Sequence, residues 1–214
     1  MKQIMMYFLL FIIYSIIGWA VEMIVTSIDT KKIVNRGFLI GPYCPVYGIG
    51  AISIIIMLSK YKDDFVALFI LAIVICSLIE YLTSYLMEKI FNARWWDYSH
   101  LSFNINGRIC LGNSIIFGLG GLLIVKVNPF FERVLSYLPS NVFSFLFGVV
   151  FTLFLVDAIT SFNIINRLKL TTLELRKDNT FEITDKVRKI LNEKSLQFKR
   201  ILQAFPDMKI NKKK

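Results

Sequence analysis

The stretch WWDYSHLSFNINGRICLGN, residues 95–113, joins two long apolar runs. It holds two adjacent tryptophans, Asp97, three asparagines, a Gly107-Arg108 step and Cys110, and an apolar helical pattern follows at once. Polar groups at this density are costly in lipid and mark function when they occur there. The stretch therefore reads as the floor of a polar site at a membrane surface, and the flanking runs as helices that cross the membrane.

Composition agrees with that reading. Of 214 residues, 56% are hydrophobic and 19 are phenylalanine, and the mean hydropathy is +0.60. An ordinary soluble domain is far less apolar. The formal charge of +10 is concentrated at the C-terminus: from Arg167 onward there are 14 Lys and Arg against 6 Asp and Glu. A basic tail behind a membrane domain is attracted to anionic lipid head groups, so membrane lipids rather than nucleic acid are the expected partner. The cysteines, Cys44, Cys76 and Cys110, are odd in number and form no C-x-x-C pair, which argues against a disulfide framework.

A bilayer core needs about 20 apolar residues per helix. Five runs approach that length: 4–28, 38–59, 65–87, 109–127 and 142–165. The first lacks a signal-peptide cleavage site and should stay in place as a spanning helix. The second carries Gly41, Pro42, Pro45, Gly48 and Gly50 in its first half, and is expected to enter as an irregular or re-entrant segment. The expected fold is an all-α integral membrane protein of about five transmembrane helices, with a polytopic membrane domain over 1–166 and a cytoplasmic tail over 167–214. In the tail, Val187, Ile190, Leu191, Phe198, Ile201, Leu202 and Phe205 fall at helical spacing, and Pro206 closes the run. That pattern predicts a basic amphipathic helix, lying on the inner leaflet, docked on a partner or packed on its own membrane domain. No internal repeat or Gly/Ser linker stands out.

With the N-terminus outside, the inner segments 29–37, 88–108 and the tail hold 20 basic residues, and the outer segments hold 5. The positive-inside rule then places the C-terminus in the cytoplasm. In this topology Glu22, Glu80, Glu88 and Asp157 gather in the inner half of the bilayer, where each should face the bundle and find a partner or water. Arg36, Arg94 and Arg108 are the nearest cationic candidates, and Asp97 and Asn113 complete the polar set. On the third helix Cys76, Ser77, Glu80, Thr83, Ser84, Met87 and Glu88 form one polar stripe at steps of three and four. Ser15, Gly18 and Glu22 share a face of the first helix, and Ser114, Gly118 and Gly121 make a small-residue face on the fourth. A packing network of ion pairs and hydrogen bonds is one reading of this set. Five acids against three arginines instead suit a site for a cation, a proton or a hydroxyl-rich ligand. Trp95, Trp96 and Tyr98 read most simply as interfacial anchors. His100 has no second ligand at metal spacing, so no metal site and no cofactor is expected. Phosphate-loop, H-E-x-x-H, G-x-S-x-G and C-x-x-C motifs are missing, which leans against an enzyme.

Three stretches together, YSIIGWAVE at 14–22, NRGFLIGPYCPVYGIG at 35–50 and EYLTSYLMEKIFNARWWDYSHLSFNINGRICLGNSIIFG at 80–118, resemble the bacterial family described as putative ABC-transporter type IV, or CmpB-like. The resemblance covers about the first 165 residues and implies a small multi-pass protein of the bacterial cytoplasmic membrane, of the permease type, working beside a separate ATPase subunit. The leading expectation is a transport component binding a small polar or cationic solute, working as a homo-oligomer or beside an ATPase because five short helices leave little room for a full pathway. An intramembrane enzyme or binding protein for a lipid head group, and a non-catalytic scaffold or regulator, are the alternatives.

Overall fold

The computed structural model of the protein describes residues 1–31, 35–91, 93–175, 196–205 and 208–210. Five apolar helices follow one another: α1 Lys2–Thr30, α2 Pro45–Leu58, α3 Phe65–Phe91, α4 Leu111–Ser136 and α5 Ser140–Leu175. A short helix, α6 Leu196–Ala204, comes from the tail. The protein is an all-α membrane protein, and among the described residues α1, α3, α4 and α5 contain spans long and apolar enough to cross a bilayer.

That count differs slightly from the expected five or so transmembrane helices, of which the second was to be irregular or re-entrant at its start. The run over 38–59 becomes helical only at Pro45, because Pro42 and Pro45 lack the N–H that an earlier helical turn would need. Pro45 is well placed at the first turn, where its missing donor costs nothing. The 14 residues of α2 rise roughly 21 Å at 1.5 Å per residue, and the segment 35–44 before it is non-helical. At the opposite end Asp64 caps α3, accepting a hydrogen bond from the Ala67 amide at 2.9 Å.

Glycine sets how closely the helices approach. At Gly48 on α2 a methyl group would meet the Phe11 carbonyl at 2.5 Å, and at Gly118 on α4 it would meet the Phe69 ring at 2.6 Å. The small-residue face of α4 thus lies against α3, where Gly121 abuts Ala72. The fifth helix is largely exposed and holds to α1 through phenylalanines: Phe8 packs edge-on against Phe147, Phe151 and Phe154.

Two short pairings organise the polar end. Strand β2, Asn104–Ile105, pairs antiparallel with β3, Ile109–Cys110, and closes a hairpin in the 95–113 stretch. Strand β1, Ala93–Arg94, pairs antiparallel with β4, Lys209–Ile210. Between them, α6 buries Ile201 and Leu202 in an apolar cluster with Phe91, Ala93, Trp95 and Ile165. Of the three placements open to the tail helix, its described part packs on the chain's own helical body. Val187, Ile190, Leu191 and Pro206 lie outside the described residues. Trp95 departs from its expected role as an interfacial anchor: it is 2% exposed, with the rings of Phe205, Phe38 and Phe91 at 4.9, 5.4 and 5.9 Å.

Candidate functional site

Helix α3 continues for eleven residues beyond Glu80 to Phe91, a length of roughly 16 Å. The chain after it does not continue outward but runs back alongside these turns. Asn106 donates to the Tyr81 hydroxyl at 2.9 Å, and Arg108 reaches Ser84 and Glu88. Helix α4 then begins level with Ser77, whose hydroxyl donates to Ser114 at 2.8 Å. The connection after α1 folds back in the same sense, so that Tyr47 in the first turn of α2 donates to the Glu22 carboxylate.

These two returns bring Glu22 and Glu80 to one phenol, that of Tyr98. Glu80 is 7% exposed. Its Oε1 accepts a hydrogen bond from the Tyr98 hydroxyl at 3.3 Å, whereas its Oε2 is buried without a hydrogen-bond partner. The Tyr98 phenol registers both acids: burial, then Glu80, then Glu22, push its pKa well above the usual tyrosine value. Cys44 caps α2 beside the same group, and burial followed by Glu22 pushes its thiol up to about 12, with Arg36 opposing. A thiol held protonated to that degree is a weak nucleophile and a poor metal ligand.

The remaining residues of the polar set lie elsewhere. Arg108 forms an ion pair with Glu88 at 2.6 Å and donates to Ser84 at 3.1 Å. Its guanidinium also lies over the Tyr85 and Tyr81 rings at 5.5 and 5.7 Å. Arg94 pairs with Asp97 at 3.4 Å and donates to the Asn106 carbonyl, which ties the hairpin to the end of α3. Asp97 in turn accepts from the Ser99 hydroxyl at 2.5 Å. Arg36 donates to Thr26 at 2.9 Å. Asn113 is half-buried in the first turn of α4. His100 is exposed on the hairpin.

Asp157 on α5 holds backbone rather than a basic side chain. Its two oxygens accept from the amides of Ile40 at 3.0 Å and Gly41 at 2.7 Å, and Ser161 donates to it at 2.8 Å. The other side of the same segment is held from the tail, where Arg200 donates to the carbonyls of Leu39 at 2.9 Å and Gly37 at 3.4 Å. Burial lowers the Arg200 pKa, and Asp157 opposes that shift.

Tyr47 and Arg200 lie outside the polar set that the sequence marks. A tyrosine soon after Pro45, at the start of an apolar helix, is a usable signal for Tyr47. Arg200 is one basic residue among many in the tail, and no local pattern marks it out. Among the described residues, no group of three or more His, Cys, Asp and Glu side chains is placed to hold a metal ion. An open groove lined by Lys2, Tyr7, Glu132 and Arg133 sits at the far end of the bundle, away from Glu22 and Glu80.

No curated protein and no solved structure matches the chain. The model of one family, described as putative ABC-transporter type IV, matches residues 9–162, most of the membrane-spanning body and both of its returning segments. The chain belongs to that family.

Proposed function

We propose that the protein is a permease-type component of a membrane transport system, in which the Glu22–Glu80 region binds a small polar or cationic solute. One observation carries this reading: Glu80 is nearly excluded from solvent, yet one of its carboxylate oxygens has no protein donor. Burying a carboxyl oxygen without a partner is costly, and a site that meets its solute there recovers that cost. Two arginines of the returning segments stop one turn away from the acids, Arg36 on Thr26 and Arg108 on Ser84 and Glu88. The engagement of Arg108 also weakens the alternative in which it grips a lipid phosphate.

The positive-inside rule supports an N-terminus outside and a cytoplasmic C-terminus in a bacterial cytoplasmic membrane. The polar end, with the 95–113 hairpin and α6, then faces the cytoplasm and offers the surface for a separate ATPase subunit. Family membership supports that partner, and the short second helix favours a homo-oligomer or a partner subunit over a lone chain.

The test is uptake into proteoliposomes prepared with the ATPase that co-purifies from native membranes. Radiolabelled amino acids, polyamines and sugars are offered, and wild type is compared with Glu80→Gln. ATP-dependent uptake of at least one solute, reduced tenfold or more in the variant, is expected. Absence of uptake across the panel, or a variant as active as wild type, refutes the reading.

A further inference from the structure

The two returning segments correspond at a series of positions once Glu22 is superposed on Glu80. Eleven residues before each acid stands Phe11 or Phe69, and seven before it stands Ser15 or Ile73. These same two pairs are what Gly48 and Gly118 touch on the following helices. Four residues after each acid stands Thr26 or Ser84, and each hydroxyl accepts from an arginine of its own connection, Arg36 at 2.9 Å and Arg108 at 3.1 Å. Each arginine sits in an Asn-Arg-Gly or Asn-Gly-Arg triplet, at 35–37 and 106–108, whose glycine has positive φ. Each following helix has a cysteine as its N-cap and carries the pattern aromatic-Gly-aliphatic-Gly-small-aliphatic: YGIGAI at 47–52 and FGLGGL at 117–122. The equivalent rings of Tyr47 and Phe117 meet edge-on at 6.5 Å, as neighbours across a two-fold axis can.

We infer that α1–α2 and α3–α4 are two copies of one helical hairpin, and that Glu22 and Glu80 are equivalent carboxylates which together bind one monovalent cation at the axis between the copies. The charge count selects the class of ion. With the ion bound both carboxylates are ionised and carry two negative charges, and the N-termini of α2 and α4 each supply about half a positive charge beside them. About one negative charge remains, which a single sodium or potassium ion neutralises and a divalent ion overshoots. The oxygen donors are the two carboxylates and the two phenols already bonded to them, those of Tyr47 and Tyr98, and the unpartnered Glu80 Oε2 is the open position. The copies differ where the ion needs them to. Phe117, the equivalent of Tyr47, has no hydroxyl, and the longer second connection supplies Tyr98 in its place.

This inference rests on the Glu22–Glu80 region being a binding site, as the transport reading also requires, and its test involves no transport. The full-length protein in detergent is melted in sodium chloride, potassium chloride or N-methylglucamine chloride at equal ionic strength. One alkali ion at saturation should raise Tm by several degrees over N-methylglucamine, and Glu22→Gln and Glu80→Gln should each abolish the difference. Equal Tm in all three salts, or loss of the effect in one variant alone, overturns the proposal. Should either variant fail to fold, equilibrium binding of radioactive sodium and of rubidium, as a potassium substitute, to wild type decides it: one ion per chain supports the site, and none or several overturn it. A bound ion in a protein that moves no solute would sustain this inference while refuting the transport reading. Solute flux without an alkali-ion response would do the reverse.

Discussion

Replacing Asp157 by alanine should release the segment 37–41 from α5 and expose how much of the polar end depends on one carboxylate. The side chain accepts two backbone amides, from Ile40 at 3.0 Å and Gly41 at 2.7 Å. Hydrogen bonds to a charged group contribute about 1.5–3 kcal/mol each. The site is partly exposed, so water replaces some of what is lost, and about 2–4 kcal/mol for the pair is a reasonable total. Ile40 retains a second acceptor in the Ser161 hydroxyl at 3.1 Å, so Gly41 should feel the change more. Asp157→Asn keeps one acceptor oxygen without the charge and should lose about half as much. Amide hydrogen exchange measured by mass spectrometry on the protein in detergent reads this directly. Peptides covering 37–43 should exchange roughly 30- to 1,000-fold faster in Asp157→Ala, while peptides from α3 and α4 stay unchanged. Unaltered exchange at 37–43 in a folded Asp157→Ala protein would show that the segment is held by something other than this carboxylate.

Three other outcomes follow from the packing. Gly118→Val should lower thermal stability by about 1–3 kcal/mol through overpacking, since a Cβ there meets the Phe69 ring at 2.6 Å and Ile73 at 2.8 Å; Gly112→Ala, where nothing lies within 4 Å, serves as the control melt. Trp95→Ala should cost about 3–5 kcal/mol and free α6, which limited proteolysis would report as faster cleavage within 196–205. A double-mutant cycle on Arg108 and Glu88, read by thermal unfolding, should yield a coupling of about 1 kcal/mol, because both side chains retain some exposure, 12% and 22%.

The helices were legible in the sequence because a chain in lipid must satisfy its backbone internally, so a long apolar run has few alternatives to a helix. The polar stripe on α3 was legible for a related reason: Ser77, Glu80, Ser84 and Glu88 at steps of three and four must share a face. Pro42 and Pro45 foretold the broken entry of the second segment, since proline removes the donors a helix needs. Depth along a helix, however, does not determine direction around it or the path of the next connection. Glu22, Glu80, Glu88 and Asp157 stand at similar depth in the sequence, and only the tertiary structure places the first two near one phenol, pairs the third with Arg108 and turns the fourth onto backbone amides. Trp95 changes from an anchor to a buried ring because Ile201, Leu202 and Phe205 return from the tail to cover it, a contact no local pattern encodes. The likeness between the two hairpins was likewise hidden in the linear sequence. Its markers are single residues in apolar helices, and the second connection is longer, so the matching positions fall into register only when the helices pack.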